Sequence, residues 1–275
     1  MMRTVTHVLL AAGVVGAVPS AGRVTLPAVG DAAAVSYKYR LVEPRAAAIE
    51  GGVRVPLIVF LHGSGERGSD NEAQLKHFVN DAASDAFQAK NPCFVLAVQC
   101  PADERWVEIA LDSEGKAKWS EGLKTKASPT RALHAVQLAI DEVMRTKPVD
   151  PARVYLTGIS MGGFGAFDLA VRTPEKFAAM ASICGGGDPA RAGRLRALPV
   201  LVAHGIDDPV VPLACSRTMA DAVRAAGGSV TVREYPGVGH EAWPKAYTSE
   251  ADGVLTWMFA QHRGAAKCSS AGASA

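Results

Sequence analysis

The sequence predicts an α/β fold in which helices cover both faces of a mostly parallel central sheet. The 275 residues are 48% hydrophobic and 20% charged, a composition that suits one globular domain with dispensable ends rather than two large domains or a disordered chain. Short apolar segments alternate with longer helical patterns, as expected for parallel strands joined by crossover helices. In such sheets the functional groups gather at the carboxyl ends of the strands.

The pattern of apolar residues predicts seven strands. Ser36 to Val42 alternates between apolar and polar residues, which indicates an edge strand, whereas Val55 to Leu61 is a nearly continuous apolar run typical of a buried strand. The remaining predicted strands are Cys93–Val98, Val154–Thr157, Ala178–Ile183, Pro199–His204 and Val230–Tyr235.

The clearest helical pattern runs from Thr130 to Arg145, where apolar side chains recur at helical spacing. A Ser-Pro pair precedes it and Pro148 follows it, in positions where such residues begin and end helices. Three more helices are predicted at Gly163–Val171, Cys215–Ala226 and Gly253–His262. The connection from Trp106 to Ala127 has no convincing element of its own, and long connections of this kind often border a substrate cleft.

Residues 1–22 are typical of a cleavable signal peptide. Arg3 precedes an apolar stretch from Val8 to Val18 that is too short to span a membrane, and small residues follow it. We therefore expect a secreted or periplasmic protein without a stable membrane anchor; an N-terminal extension on a cytosolic protein is the alternative. The folded domain is then predicted at residues 23–264 and a small, polar, disordered tail at residues 265–275.

Charge and cysteine content argue against several kinds of partner. The formal net charge is +2 and Lys and Arg form no long run, so no nucleic-acid partner is expected. Five cysteines leave at least one outside any intramolecular disulfide. Cys93 and Cys100 would lie about 23 Å apart along an extended strand, too far for a disulfide. No Cys-x-x-Cys or histidine-rich spacing indicates a metal site, and the oligomeric state is not evident from the sequence.

The most informative motif is Gly158-Ile159-Ser160-Met161-Gly162, which ends a predicted strand and leads into a predicted helix. A serine flanked in this way is typical of the nucleophile elbow of serine hydrolases, a strained strand-to-helix turn. Glycines at its flanks avoid the crowding that a Cβ atom would cause there. We therefore predict that Ser160 is a catalytic nucleophile.

A serine hydroxyl needs a base within hydrogen-bond reach and a carboxylate that orients that base. Asp207 and Asp208 follow the strand that ends at His204, and His240 lies in the glycine-rich loop after the last strand. We predict His240 as the general base and Asp208 as the orienting acid, with Asp207 as the competing choice. His204 is predicted to brace the acid loop, whereas His77 falls in a helical pattern.

The tetrahedral intermediate of ester cleavage needs preorganised N–H donors for its oxyanion. The amide of Met161 is the first predicted donor, and the amide of Ser64, in the glycine-rich loop from His62 to Gly68, is the second. The same loop matches the GxGxxG spacing of phosphate-binding turns, which is the alternative reading. That match is weak because the next helix would begin too late in the sequence to contribute its N-terminus.

These motifs, in this order along the chain, resemble those of an α/β-hydrolase. Within that superfamily the chain resembles secreted carboxylesterases of the polyhydroxybutyrate-depolymerase and feruloyl-esterase kind, a group also labelled predicted peptidases or phospholipase/carboxylesterases. The stretches that carry the resemblance are Pro56–Gly68, Gln99–Pro101, Thr157–Phe167, Ile183–Asp188, His204–Pro212 and Tyr235–Trp243. The resemblance implies an α/β-hydrolase catalytic domain at 23–264 without cofactor or metal, and it favours Asp208 over Asp207. Unlike secreted depolymerases, the chain has no recognisable polymer-binding module.

The function expected from these residues is that of a serine carboxylesterase acting through an acyl-enzyme on short-chain or feruloyl-type esters. Its substrate would be a small-molecule or polysaccharide-linked ester. The side chains that are candidates for an aromatic substrate pocket, with packing as the equal alternative, are Trp106, Trp119 and Trp243. The alternatives are a serine peptidase acting on small peptides with the same triad, a polyhydroxyalkanoate depolymerase, and a binding protein that keeps the fold without catalysis.

Overall fold

The computed structural model describes residues 18–28, 33–109, 123–248 and 251–264. They form one sheet whose strands are β1 (Ser20–Leu26), β2 (Val35–Val42), β3 (Val55–Leu61), β4 (Phe94–Val98), β5 (Val149–Ile159), β6 (Ala179–Ile183), β7 (Val200–Gly205) and β8 (Val230–Tyr235). The order across the sheet is β1-β2-β4-β3-β5-β6-β7-β8. Strand β2 is antiparallel to both of its neighbours, and every pair from β4 to β8 is parallel.

Helices cover both faces of the sheet. Their bounds are α1 (Val79–Ala82), α2 (Asp85–Lys90), α3 (Arg131–Thr146), α4 (Met161–Arg172), α5 (Leu213–Ala225), α6 (Trp243–Ala246) and α7 (Val254–Phe259). Apolar side chains of α3, α4 and α5 form one core with one face of the sheet. Side chains of α1, α6 and α7 form a second core on the opposite face. The predicted α/β class, with a mostly parallel sheet between two helical layers, is confirmed.

The strand at the edge of the sheet was not the one expected. The prediction that Ser36–Val42 is an edge strand is wrong, because β1 pairs antiparallel with β2 along its whole length. In β1, Val24 and Leu26 are buried while most other residues are exposed, a short and weak alternation. The strand begins at Ser20, so the expected leader boundary at residue 22 falls inside it.

The other predicted elements are present with shifted ends. Strand β5 is longer than expected in both directions, α4 begins two residues earlier at Met161, and α7 ends three residues earlier at Phe259. Cys93, Cys100, Cys184 and Cys215 are free thiols, and Cys268 lies outside the described residues. Residues 1–17 and the predicted tail at 265–275 also lie outside them. Within the described ranges no helix has the length and hydrophobicity that crossing a membrane requires.

Candidate active site

Ser160 stands on a sharp turn between β5 and α4, at the carboxyl end of the strand. Its backbone is in a strained region, with φ 52° and ψ −120°, which a non-glycine residue rarely adopts. A Cβ atom on Gly158 would overlap the carbonyl group of Gly162, and a Cβ atom on Gly162 would overlap the carbonyl group of Leu61. Only glycine fits at these flanks, so the turn has the geometry of the predicted elbow.

The side chains of Ser160, His240 and Asp208 form a continuous chain of hydrogen bonds. Nε2 of His240 lies 2.9 Å from Oγ of Ser160, and Nδ1 lies 2.8 Å from Oδ2 of Asp208. Because the ionised carboxylate only accepts, Nδ1 carries the proton and Nε2 is left to accept from the serine hydroxyl. The Asp208 side chain is fully buried, while that of His240 remains 18% exposed. This arrangement can activate a serine for nucleophilic attack.

Asp208 is held as a carboxylate by donors on both of its oxygens. Its Oδ1 accepts hydrogen bonds from the backbone amides of Val210 (2.8 Å) and Val211 (2.9 Å). Burial tends to raise the pKa of Asp208, but the hydrogen bonds from His240 and from these two amides outweigh it and bring the pKa below its ordinary value. Asp207 is exposed, and its backbone amide instead donates to Val238. Of the two aspartates, the fold brings Asp208 to His240.

The loop after β3 lies directly beside the serine. A Cβ atom built on Gly63 would be 3.7 Å from Cβ of Ser160. Ser64 begins the 3₁₀ turn Ser64–Glu66, and neither its amide nor that of Met161 donates to any residue that the structure describes. Two unpaired N–H donors therefore flank Ser160, as an oxyanion site requires. The next α-helix begins only at Val79, so the phosphate-binding alternative lacks a helix N-terminus at this loop.

Hydrogen bonds of the His62 side chain hold that loop in place. Its buried ring donates from Nδ1 to the carbonyl of Gly63 (2.7 Å) and accepts at Nε2 from the amide of Cys100 (3.0 Å). Burial lowers the pKa of His62 to about 4, so the ring is neutral at pH 7. Nε1 of Trp106 donates to the carbonyl of His62 (3.0 Å). The backbone of the loop is thus held by side chains that come from separate parts of the chain.

The three predicted tryptophans have three different outcomes. Trp106 is fully buried beneath the loop, a position that favours the packing alternative. Trp119 lies outside the described residues. Trp243 lies next to His240, with its ring edge-on to the imidazole and 5.5 Å between centroids. Its own side chain is 6% exposed. Trp243 is therefore the described tryptophan that the fold brings to the triad.

Trp243 also contacts His77, which in turn contacts Glu66, and neither residue was among the predicted site residues. Its Nε1 donates to Nδ1 of His77 (3.2 Å), which leaves Nε2 of His77 to donate to Oε1 of Glu66 (3.2 Å). His77 has φ 68° and lies outside any helix, so the helical assignment for this residue is wrong. Glu66 follows Ser64 in the loop beside the serine and is buried. The glycine-rich motif containing Glu66 marked the loop, but nothing local in the sequence marks its histidine partner.

Cys184, His204 and Asp208 form the one cluster in the described chain whose donor atoms are close enough to share a metal ion, within 4.8 Å of one another. The thiol of Cys184 instead donates to the carbonyl of His240 (3.2 Å). Burial raises the pKa of that thiol to about 11, so it stays protonated at neutral pH. A protonated thiol is a poor metal ligand, and Asp208 is already occupied by hydrogen bonds. The donor set therefore fits a hydrogen-bonded network better than a metal.

Known proteins match this chain over most of its length. The model of the phospholipase/carboxylesterase family matches residues 51–252. A protein of Nocardia uniformis subsp. tsuyamanensis, provisionally named esterase NocK, is 30% identical over 219 residues, which are 78% of this chain and 54% of that protein. A thermostable esterase of known structure is 33% identical with a TM-score of 0.74, over 88% of this chain and 63% of its own. The chain thus spans between about half and two thirds of the length of these two relatives.

A peptidase shares the fold at lower identity. The acylaminoacyl peptidase of Pyrococcus horikoshii is 17% identical with a TM-score of 0.60, and the match covers 88% of this chain and 41% of that one. At this identity the likeness concerns the fold alone.

Proposed function

The chain belongs to the phospholipase/carboxylesterase family, and on that premise we propose that it is a serine carboxylesterase that works through an acyl-enzyme on Ser160. The observation that carries the proposal is the unbroken chain of contacts from Oγ of Ser160 through His240 to Asp208, with distances of 2.9 and 2.8 Å. Two free amides beside the same serine add the second requirement for acyl transfer.

In this mechanism, Nε2 of His240 accepts the hydroxyl proton as Oγ of Ser160 attacks the ester carbonyl carbon. Asp208 holds the imidazole in the correct tautomer and stabilises its cation. The amides of Ser64 and Met161 donate to the oxyanion of the tetrahedral intermediate. His240 then returns the proton to the leaving alkoxide as the C–O bond breaks, which leaves the acyl group on Ser160. Water, deprotonated by His240, then attacks the acyl carbon, and His240 returns this proton to Oγ of Ser160 as the acyl C–O bond breaks and the acid is released.

We propose a small ester, with a short-chain or feruloyl-type acyl group, as the substrate. The surroundings of the serine support this substrate: Ser64 is exposed near it, and the indole of Trp243 packs against His240. An aromatic ring at that position can contact an apolar acyl or alcohol group. Hydrolysis of small peptides by the same triad is the second candidate, since the fold is shared with a peptidase.

The test is a hydrolysis panel with purified protein. It contains p-nitrophenyl acetate, butyrate and octanoate, methyl ferulate and an amino-acid anilide. We expect ester turnover that falls by roughly 10⁶-fold in kcat in Ser160→Ala, as when a serine protease loses its nucleophile. The exposed Ser69→Ala variant is the control and keeps wild-type rates. Ester turnover that survives in Ser160→Ala would overturn the proposal, and turnover confined to the anilide would establish a peptidase.

We also propose that the protein is exported, as a secreted or periplasmic enzyme. The support is the basic and apolar character of residues 1–22. N-terminal sequencing of protein recovered from the medium or periplasm tests this proposal. Protein that keeps Met1 and stays in the cytosolic fraction would overturn it.

A further inference from the structure

A second histidine, His204, contacts Asp208, the acid of the proposed triad. His204 lies in β7, one residue before its end, and Nε2 of its ring is 3.1 Å from Oδ2 of Asp208, the same oxygen that accepts from His240. The side chain of His204 is 1% exposed and that of Asp208 is completely buried. Asp208 is therefore enclosed between two imidazoles, of which the mechanism above uses one.

The position of the proton on His204 follows from its neighbours. Nε2 faces only acceptors, namely Oδ2 of Asp208 and the carbonyl of Val211 at 3.0 Å. Nδ1 faces the hydroxyl of Ser216 at 2.7 Å, whose single proton goes either to Nδ1 or to the carbonyl of Gly185 at 2.8 Å. Nε2 must therefore carry a proton in every arrangement that satisfies these contacts. Burial lowers the pKa of His204, while its contacts with Val211 and Asp208 oppose that shift, so the neutral ring with the proton on Nε2 is the form at neutral pH.

This donor differs in origin from the two amide donors on Asp208. The amides of Val210 and Val211 belong to the same loop as the carboxylate and move with it. His204 belongs to β7, which is paired with β6 on one side and β8 on the other. The hydroxyl of Ser216, in α5, contacts both the His204 ring and the carbonyl of Gly185 (2.8 Å). His204 thus connects the acid to the rigid sheet rather than to its own loop.

We propose that His204 is a positioning residue, which holds Oδ2 of Asp208 in line with His240 through a hydrogen bond from Nε2. This inference rests on the proposed function, because it assigns a role within the same triad. His204 acts through Asp208 and does not touch the reacting atoms. The titratable groups near it are Asp208, His240, Cys184 and Glu234.

The matched variants are His204→Asn and His204→Gln. An asparagine amide reaches the position of Nδ1, near Ser216, but stops short of Asp208, whereas a glutamine amide can place an N–H where Nε2 lies. We expect His204→Asn to lower kcat about tenfold at unchanged KM, because a misplaced catalytic group is costly even at small displacements. In His204→Asn, Oδ2 of Asp208 would lose the hydrogen bond from His204 and would interact with His240 alone. The carboxylate would then stabilise the His240 cation more strongly, so the acidic limb of the kcat/KM profile should move to higher pH. His204→Gln should restore both values to near wild type.

Equal behaviour of the two variants would overturn the proposal, whether both match the wild type or both are equally impaired. A measurement without any variant guards against misfolding: ¹⁵N-histidine NMR of the wild-type protein should place the His204 proton on Nε2. A proton on Nδ1 alone would also overturn the proposal. Because NMR does not depend on turnover, it tests the His204 geometry even if Ser160→Ala shows that the proposed esterase activity is wrong.

Discussion

Ser160 and Asp208 both stand just after parallel strands at the same edge of the sheet, yet different contacts hold the two turns that carry them. The elbow at Ser160 is shaped by backbone crowding, because the carbonyl groups of Gly162 and Leu61 leave no room for a Cβ atom at the flanking glycines. The turn at Asp208 is shaped by hydrogen bonds from side chains and amides, including those of His204 and Val211. Steric exclusion needs a particular residue at a particular position, whereas a hydrogen-bond network needs partners from several elements.

The first prediction removes the negative charge of Asp208 while keeping the shape of its side chain. We expect Asp208→Asn to lower kcat by about 10⁴-fold, because an amide cannot hold the base in the required tautomer. Asp207→Asn is the matched control and should change kcat by less than about twofold, since Asp207 is exposed and outside the network. Both rates are measured with p-nitrophenyl acetate. If the two variants lose activity equally, the assignment of Asp208 as the acid is wrong.

A second prediction tests the steric crowding at the Ser160 turn by adding one methyl group at Gly162. In Gly162→Ala the new Cβ atom would overlap the carbonyl group of Leu61, a backbone position that cannot move without shifting β3. We expect a loss of more than about 4 kcal/mol in the free energy of unfolding, or failure to fold. Gly193→Ala is the control: nothing lies within 4 Å of its Cβ position, and its effect should stay within about 1 kcal/mol. Urea titration distinguishes the two, and similar midpoints would contradict the steric account.

A third prediction concerns His62, the buried ring under the loop at Ser64. Its pKa is about 4 in the fold because of burial, against about 6.5 when unfolded. Between these values the unfolded chain binds a proton that the native state does not, so the free energy of unfolding falls as pH drops from about 6.5 to 4. The contribution is about 3 kcal/mol over that window. Urea titrations at several pH values should show a shallower loss in His62→Asn than in wild type.

The control for this prediction is His134→Asn, a substitution of the same kind at an exposed residue of α3. An identical pH dependence in wild type and His62→Asn would contradict the buried, neutral state of His62.

The same contrast explains what the sequence could and could not predict. The elbow is a local feature, because five consecutive residues, Gly158 to Gly162, are enough to predict it. The structure has the corresponding strained turn at Ser160. The choice between Asp207 and Asp208 needed either a family resemblance or coordinates, because adjacent residues give the same sequence signal. Trp106 was a candidate for either a substrate pocket or packing, and it is fully buried, with its indole donating to the carbonyl of His62, 44 residues away. A tryptophan in a long connection has the same sequence signal in either role.

Errors of another kind arose where the local pattern was misleading. His77 falls within a helical pattern, but its positive φ places it between elements, where its ring contacts Trp243, 166 residues further on. Strand β1 was missed because few of its side chains are buried and because it overlaps the expected leader. In both cases the deciding contacts are far apart in the sequence, and no pattern within a short window contains them.

The sheet order also has a consequence for how the molecule assembles. The amide of Ser160 donates to the carbonyl of Ile183 in β6, while Gly162 packs against Leu61 in β3. The turn at Ser160 is therefore defined by three strands that lie far apart in the chain and can meet only after long loops have closed, a topology that folds slowly. A chain in which β3 or β6 has not yet joined the sheet lacks the contacts that shape this turn. The strained conformation of Ser160 is thus a reporter of the completed sheet.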